Sequence, residues 1–235
     1  ATPQQALEYF KQYAWSRPVY TAVLEKLAYR YYVKKKWSMT AQLYRELATI
    51  RQDPEKLIEY AKLIFESAQA VGKYQQAEKD VGIIIKALAS QKYSVHVPQA
   101  DKDKLLNDFE LYARDIITHL HAKSRQSNSI QDFTIAANAY KQYLDFFGDT
   151  PAAEKMAENY AEALFSAGKY LEAGKQYEKV LPEATVNAKK RKEMLYSSVI
   201  SYYQALKNKE EMCCDQAAYA RDGLRANGKI YAGEY

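Results

Sequence analysis

Gly72-Lys73-Tyr74-Gln75-Gln76-Ala77 and Gly168-Lys169-Tyr170-Leu171-Glu172-Ala173 are two versions of one short text. Each follows an apolar pattern of helical spacing and opens another, so each marks a seam between two helices. An aromatic also holds the corresponding slot at Trp37 and Phe133. These four aromatics are 37, 59 and 37 residues apart, a recurring period with one interval longer by about one helix. A period of this size points to repeated helical hairpins.

Composition agrees. The chain has 235 residues, 48% hydrophobic and 27% charged, which argues for a folded core and against disorder. Only 8 glycines and 6 prolines are present, too few for the frequent turns of an all-β sandwich or barrel. The 34 basic and 29 acidic side chains leave +5, spread too evenly to single out nucleic acid. No apolar run reaches the length of a membrane span; the densest, Ile83-Ile84-Ile85, lies between Lys79 and Lys86. Cys213 and Cys214 are adjacent, so they cannot close a large loop. The chain begins at Ala1 rather than Met and reads as a processed or excised product.

The hexapeptides and their surroundings resemble the tetratricopeptide repeat family, pairs of antiparallel helices of about 34 residues. The family pattern asks for a small residue in the first helix of a pair, an aromatic at the turn, then Ala, an aromatic and an apolar residue in the second. Thr40, Tyr44 and Leu47, with Pro54 beyond, stand at the second-helix slots of one unit. Ala77, Val81 and Ile84 stand there in the next; Ala136, Tyr140 and Tyr143, with Pro151, in another; and Ala173, Tyr177 and Val180, with Pro182, in a fourth. Ala28 and Ala161 supply the small first-helix residue, whereas Phe65 replaces it and implies looser packing. Ala6, Phe10, Tyr13 and Pro18 match the second-helix slots again, so the chain opens halfway through a repeat, with Thr2 able to cap and Pro3 in the first turn.

The resulting expectation is an all-α, tetratricopeptide-like right-handed superhelical solenoid with an irregular joint. Residues 1–18 would hold the second helix of a truncated leading repeat, 19–90 two helix pairs, 91–130 the joint, 131–225 further helices with a C-terminal pair, and 226–235 a patternless tail. The helices are predicted at 3–14, 19–34, 38–50, 55–71, 74–90, 101–123, 130–146, 151–167, 170–181, 187–206 and 209–225. In the joint, Leu105, Leu106, Phe109, Tyr112, Ala113, Ile116, Ile117 and Leu120 form one buried stripe. The polar stretch 124–129 reads as a linker.

The resemblance implies binding of a protein or peptide in a concave groove lined by first helices. Glu25, Tyr29 and Tyr32 are the first candidates for that surface. Lys62, Glu66 and Gln69 follow in the next unit, then Lys155, Glu158, Glu162 and Phe165, then Ser198 and Tyr202. Glu25, Glu158 and Glu162 make this groove mixed or acidic, which favours a basic or neutral partner segment. Most of the 22 tyrosines, including Tyr44, Tyr74, Tyr140, Tyr170 and Tyr177, fall at packing slots.

Lys34-Lys35-Lys36 ends a helix, where cations complement the macrodipole. Lys189-Lys190-Arg191-Lys192 sits near a helix start, where they do not; it reads first as a solvated face, with an acidic partner, lipid headgroups or a nuclear localisation run as the alternatives. His119 and His121 are two apart and face different ways, His96 lies in a loop, and no metal site is read. Cys213 and Cys214 read as small buried side chains. No phosphate loop, nucleophile elbow or carboxylate pair is visible, so no enzyme, cofactor or small-molecule substrate is expected. The functional expectation is a scaffold or adaptor in a multi-protein assembly. Its rivals are a structural component that self-assembles through end helices, and the accessory module of an enzyme whose catalytic domain lies elsewhere. Tyr31-Tyr32, Trp37 and Leu43-Tyr44-Arg45-Glu46-Leu47 also resemble envelope-associated bacterial repeat proteins, which would imply a periplasmic location.

Overall fold

The computed structural model describes residues 3–13, 17–51, 53–92, 98–182, 187–208 and 212–235. Thr2, His96 and positions 209–211, which carried predictions, lie outside them. Among the described residues the regular structure is helical and contains no strand. The helices are α1 (Pro3–Tyr13), α2 (Arg17–Val33), α3 (Trp37–Ile50), α4 (Pro54–Val71), α5 (Ala77–Lys92), α6 (Gln99–Ser127), α7 (Ile130–Phe147), α8 (Ala153–Ser166), α9 (Tyr170–Lys179), α10 (Ala188–Lys207) and α11 (Cys214–Glu234).

Local chemistry sets many of the ends. The Asp53 carboxylate accepts the Lys56 N–H at 3.1 Å and Pro54 follows it, so α4 starts with a filled cap. Ser129 caps α7 and Asn187 caps α10 in the same way, each at 3.1 Å. At the seams, Gly72 and Gly168 adopt φ of 61° and 77°, left-handed values that suit glycine. The two turns share one hydrogen-bond pattern: Gly72 N–H to Gln69 O with Lys73 N–H to Ala68 O, and Gly168 N–H to Phe165 O with Lys169 N–H to Leu164 O. Lys35, at φ 53°, makes the same turn without glycine, through Lys35 N–H to Tyr32 O and Lys36 N–H to Tyr31 O. Asn128, at φ 50°, is the fourth left-handed residue.

These turns revise the register. Trp37 and Tyr170 stand two residues after the left-handed residue and begin a helix; Ile130, not Phe133, is their counterpart. Ile130 is exposed, and Phe133, one helical turn later, is the buried ring of α7. Tyr74 is buried in the turn itself, so α5 begins at Ala77 rather than 74.

The chain divides into two compact units, Ala1–His119 and Leu120–Tyr235, with the division inside α6. Within the first, α2, α3, α4 and α5 pack consecutively; within the second, α7 through α11 do. Leu24, Ala28, Leu43, Leu47, Leu57, Ala61, Ile64, Val81 and Ile84 form much of the first core, and Ala136, Tyr140, Tyr143, Ala161, Ala173 and Tyr202 much of the second. Phe65 does not loosen α4: Ala61 and Ala68 are the buried small residues, and the Phe65 ring stacks on Tyr112 at 4.2 Å.

Helices two apart in order also meet, through polar pairs at the repeat distance. In the first unit these are Tyr32–Glu66, Tyr60–Glu25 and Arg45–Asp80, separated by 34, 35 and 35 residues. In the second they are Arg125–Glu162 and Lys190–Glu154, separated by 37 and 36. Arg45 clamps Asp80 with two bonds of 2.6 and 2.7 Å. Burial pushes the Asp80 carboxyl up, against the pull of that guanidinium.

Four sequence expectations fail here. Residues 124–127 are not a linker: α6 runs to Ser127, and buried Ser124 donates to Leu120 O at 2.8 Å, satisfying its hydroxyl inside the helix. Leu106 leaves the predicted stripe and is exposed. Positions 226–234 are helical rather than a tail, because buried Asn227 donates to Glu178 at 2.7 Å and to Ser198 at 2.9 Å and holds α11 down. On α1, Tyr13 is exposed despite its predicted packing slot.

Candidate functional site

Apolar residues occur all round α2, so one inner stripe cannot bury them all. Leu24 and Ala28 go inward, while Tyr29 and Val33 remain 64% and 61% exposed. Tyr29 stands beside a cleft of about 290 Å³ lined by Glu25, Lys26, Tyr44, Lys56, Glu59 and Tyr60. Glu25 is held from behind: one carboxylate oxygen accepts from Arg51 at 2.7 Å and from the Tyr60 hydroxyl. Burial, helped by that carboxylate, pushes Tyr60 far up, and burial raises Tyr44 to about 12. Both phenols therefore stay protonated near neutral pH.

Tyr32 is tied into the same face. Its hydroxyl donates to Glu66 at 3.2 Å, and its ring meets Trp37 edge-on at 5.6 Å. The Glu66 charge raises its pKa. Lys62, Glu66 and Gln69 are all exposed on α4. The first-unit candidates thus lie together on α2 and α4, with Glu25 half-buried at the base. Sequence reasoning missed Lys26 and Val33, exposed neighbours of Tyr29 three and four residues away along α2, and the adjacent exposed Arg30.

The second-unit candidates behave differently. Glu158 is 5% exposed and pairs with Lys155 at 3.1 Å and with Lys190. Glu162 pairs with Arg125. The expected acidic character is therefore neutralised within the unit. Phe165 is half-buried against Tyr170, edge-on at 5.2 Å. Ser198 and Tyr202 are fully buried rather than presented on a surface. Ser198 donates to Gly174 O at 3.3 Å, and the Tyr202 ring lies so close to Gly174 and Gly223 that a Cβ on either would come within 2.6 Å of it.

The basic runs also exchange roles. Lys190 reaches Glu154 at 2.8 Å as well as Glu158; Arg191 reaches Glu234 at 3.3 Å and Pro182 O at 3.2 Å; Lys192 lies 4.8 Å over the Tyr235 ring. The run that hinted at an outside partner is mostly absorbed internally. Lys34, Lys35 and Lys36 are exposed and make no ion pair among the described residues.

His121 is buried, its Nδ1 3.0 Å from the Tyr140 hydroxyl and its Nε2 4.0 Å from Glu162. Burial pushes its pKa down to about 4, Glu162 opposing and Arg125 assisting. His119 is exposed and stacks on Tyr74 at 5.2 Å. Cys213 and Cys214 are exposed, not buried, because the start of α11 turns them to solvent. Among the described residues no group of three or more His, Cys, Asp or Glu could hold a metal ion, and no helix is long and apolar enough to cross a membrane. No protein-family model matches the chain, and no curated protein matches it.

Proposed function

We propose that this protein is a non-enzymatic scaffold of tetratricopeptide type that binds a segment of a partner protein on the open face of α2 and α4, as part of a multi-protein assembly. The observation that carries the reading is Tyr29: a large aromatic left exposed beside a cleft whose lining includes buried Tyr60 hydrogen-bonded to half-buried Glu25. Exposed tyrosine on a rigid helix is the kind of residue that contributes most at protein interfaces, because it adds area with little lost side-chain entropy. The recurrence of polar pairs at 34–37 residues supports the repeat reading.

The test is affinity capture with mass spectrometry, comparing the native chain with Tyr29→Ala/Tyr32→Ala. Loss of a reproducible partner with unchanged helical circular dichroism supports the proposal. Equal loss of helicity and capture would make these tyrosines packing residues. Self-assembly is a second reading, favoured by α1, where the tilted rings of Tyr9 and Tyr13 lie 4.5 Å apart while both are exposed. Concentration-dependent light scattering that disappears in Tyr9→Ser/Tyr13→Ser is its expected signature.

A further inference from the structure

We infer that the outward face of α2 docks an acidic segment of the partner, with one aromatic or aliphatic side chain of that segment seated in the cleft beside Tyr29. The inference rests on the protein-binding reading above and names the chemistry of the partner.

Lys26, Tyr29, Arg30 and Val33 fall at steps of three, one and three and are all exposed, so they share one side of the helix. Lys34, Lys35 and Lys36, all exposed, follow directly in the turn after α2. None of the five cations makes an ion pair among the described residues. The one carboxylate on α2, Glu25, is already engaged by Arg51 and Tyr60. The face is therefore a strip of uncompensated positive charge interleaved with two apolar side chains.

Lys35 adds a second sign. It holds the left-handed conformation that the two matching turns give to glycine. A lysine there costs backbone strain that glycine avoids, yet it adds a charge at the end of the strip.

Shape selects between polyanions. From Lys26 on α2 to Lys36 beyond its end the strip is about 15 Å long, the span of roughly four or five extended residues. Tyr32–Glu66 and Tyr60–Glu25 place α4 alongside, and α4 presents the exposed carboxylates Glu59 and Glu66. A nucleic-acid backbone broad enough to cross α4 would meet those carboxylates. A short acidic peptide can lie along α2 and donate its backbone N–H groups to them. The cleft combines the rings of Tyr29, Tyr44 and Tyr60 with the charged Glu25, Lys26, Lys56 and Glu59, so a ring of the peptide can pack on the tyrosines while its flanking carboxylates meet Lys26 and Lys56.

The experiment is fluorescence anisotropy with a labelled short peptide of Asp and Glu around a central Phe, with three competitors: the same peptide with Ala for Phe, its sign-reversed Lys/Arg version, and a short poly-dT strand. The expected result is binding of the acidic Phe peptide that weakens as salt rises. Lys26→Glu/Arg30→Glu should weaken it roughly tenfold or more, and Tyr29→Ala or loss of the Phe several-fold. Lys35→Gly, which relaxes the turn, should weaken binding without lowering the unfolding temperature. Lys189→Glu, in the other basic run, should leave affinity unchanged. No binding, equal binding of the sign-reversed peptide, indifference to the charge reversal, or stronger competition by poly-dT overturns the inference. A partner captured through Tyr29 by a basic or neutral segment would overturn it too, and leave the scaffold reading standing.

Discussion

α2 and α10 look alike as text and end up opposite as structure. Both were candidate groove helices with tyrosines in line, and each lies next to a basic run. On α10, Ser198 and Tyr202 are sealed in the core, and three of the four cations find a carboxylate, a carbonyl or an aromatic ring inside the unit. On α2, Tyr29 and Val33 face solvent, and Lys26 and Arg30 make no ion pair among the described residues. The difference teaches that a charge run gains meaning from its third-helix neighbour. α8 brings Glu154 and Glu158 to Lys190, whereas α4 spends its nearest groups on Glu25 and Tyr32.

The sharpest way to break this contrast is at the aromatics. Tyr202→Ala should destabilise the chain by about 3–5 kcal/mol in urea unfolding, since it empties a space between two glycines that nothing else can fill. Tyr29→Ala should change stability by less than about 0.5 kcal/mol. Comparable losses at both would erase the distinction. Next comes Lys190→Ala, which strands buried Glu158 with only the exposed Lys155; about 2 kcal/mol is expected, reduced because Lys190 is partly solvated. Adding Glu158→Gln should recover part of it, a non-additivity that a double-mutant cycle reads directly.

Acid should act within the second unit in a similar range, through His121 on α6. His121 titrates near 6.5 when unfolded and about 4 when folded, so between those values the unfolded chain binds more protons. Stability is complete above pH 6.5, declines as pH falls toward 4, and is about 2 kcal/mol lower at pH 5 than at pH 7. His121→Gln should flatten this slope in pH-dependent urea melts; an unaltered slope would place the proton elsewhere. The smallest effects belong to the end of α2. Lys34→Ala/Lys36→Ala should stay within about 0.5 kcal/mol, and Lys35→Gly should be neutral or stabilise by up to about 1 kcal/mol, both read by thermal unfolding.

Helicity and most helix positions were legible because apolar periodicity and caps are local: Asp53-Pro54, Gly72 and Gly168 announce themselves. The turns at Lys35 and Asn128 were harder to read because a left-handed residue without glycine leaves no mark in the text. This is why the aromatic of α7 was placed one helical turn out of register. Ser124 and Asn227 misled for a related reason: polar side chains look like linker or tail until their hydrogen-bond partners are known. Of the candidate site, Tyr29, Lys62 and Gln69 could be placed on an exposed side from spacing alone, whereas the fates of Glu25, Glu158 and Tyr202 depended on residues 21 to 35 positions away.

By itself, then, the order of amino acids determined that this chain forms helices and roughly where each begins. Which charges remain free and which tyrosines vanish was decided only when helices two apart came together. Burial and pairing depend on distance in space, and a pattern read along one helix shows which residues share a side but not what that side will meet.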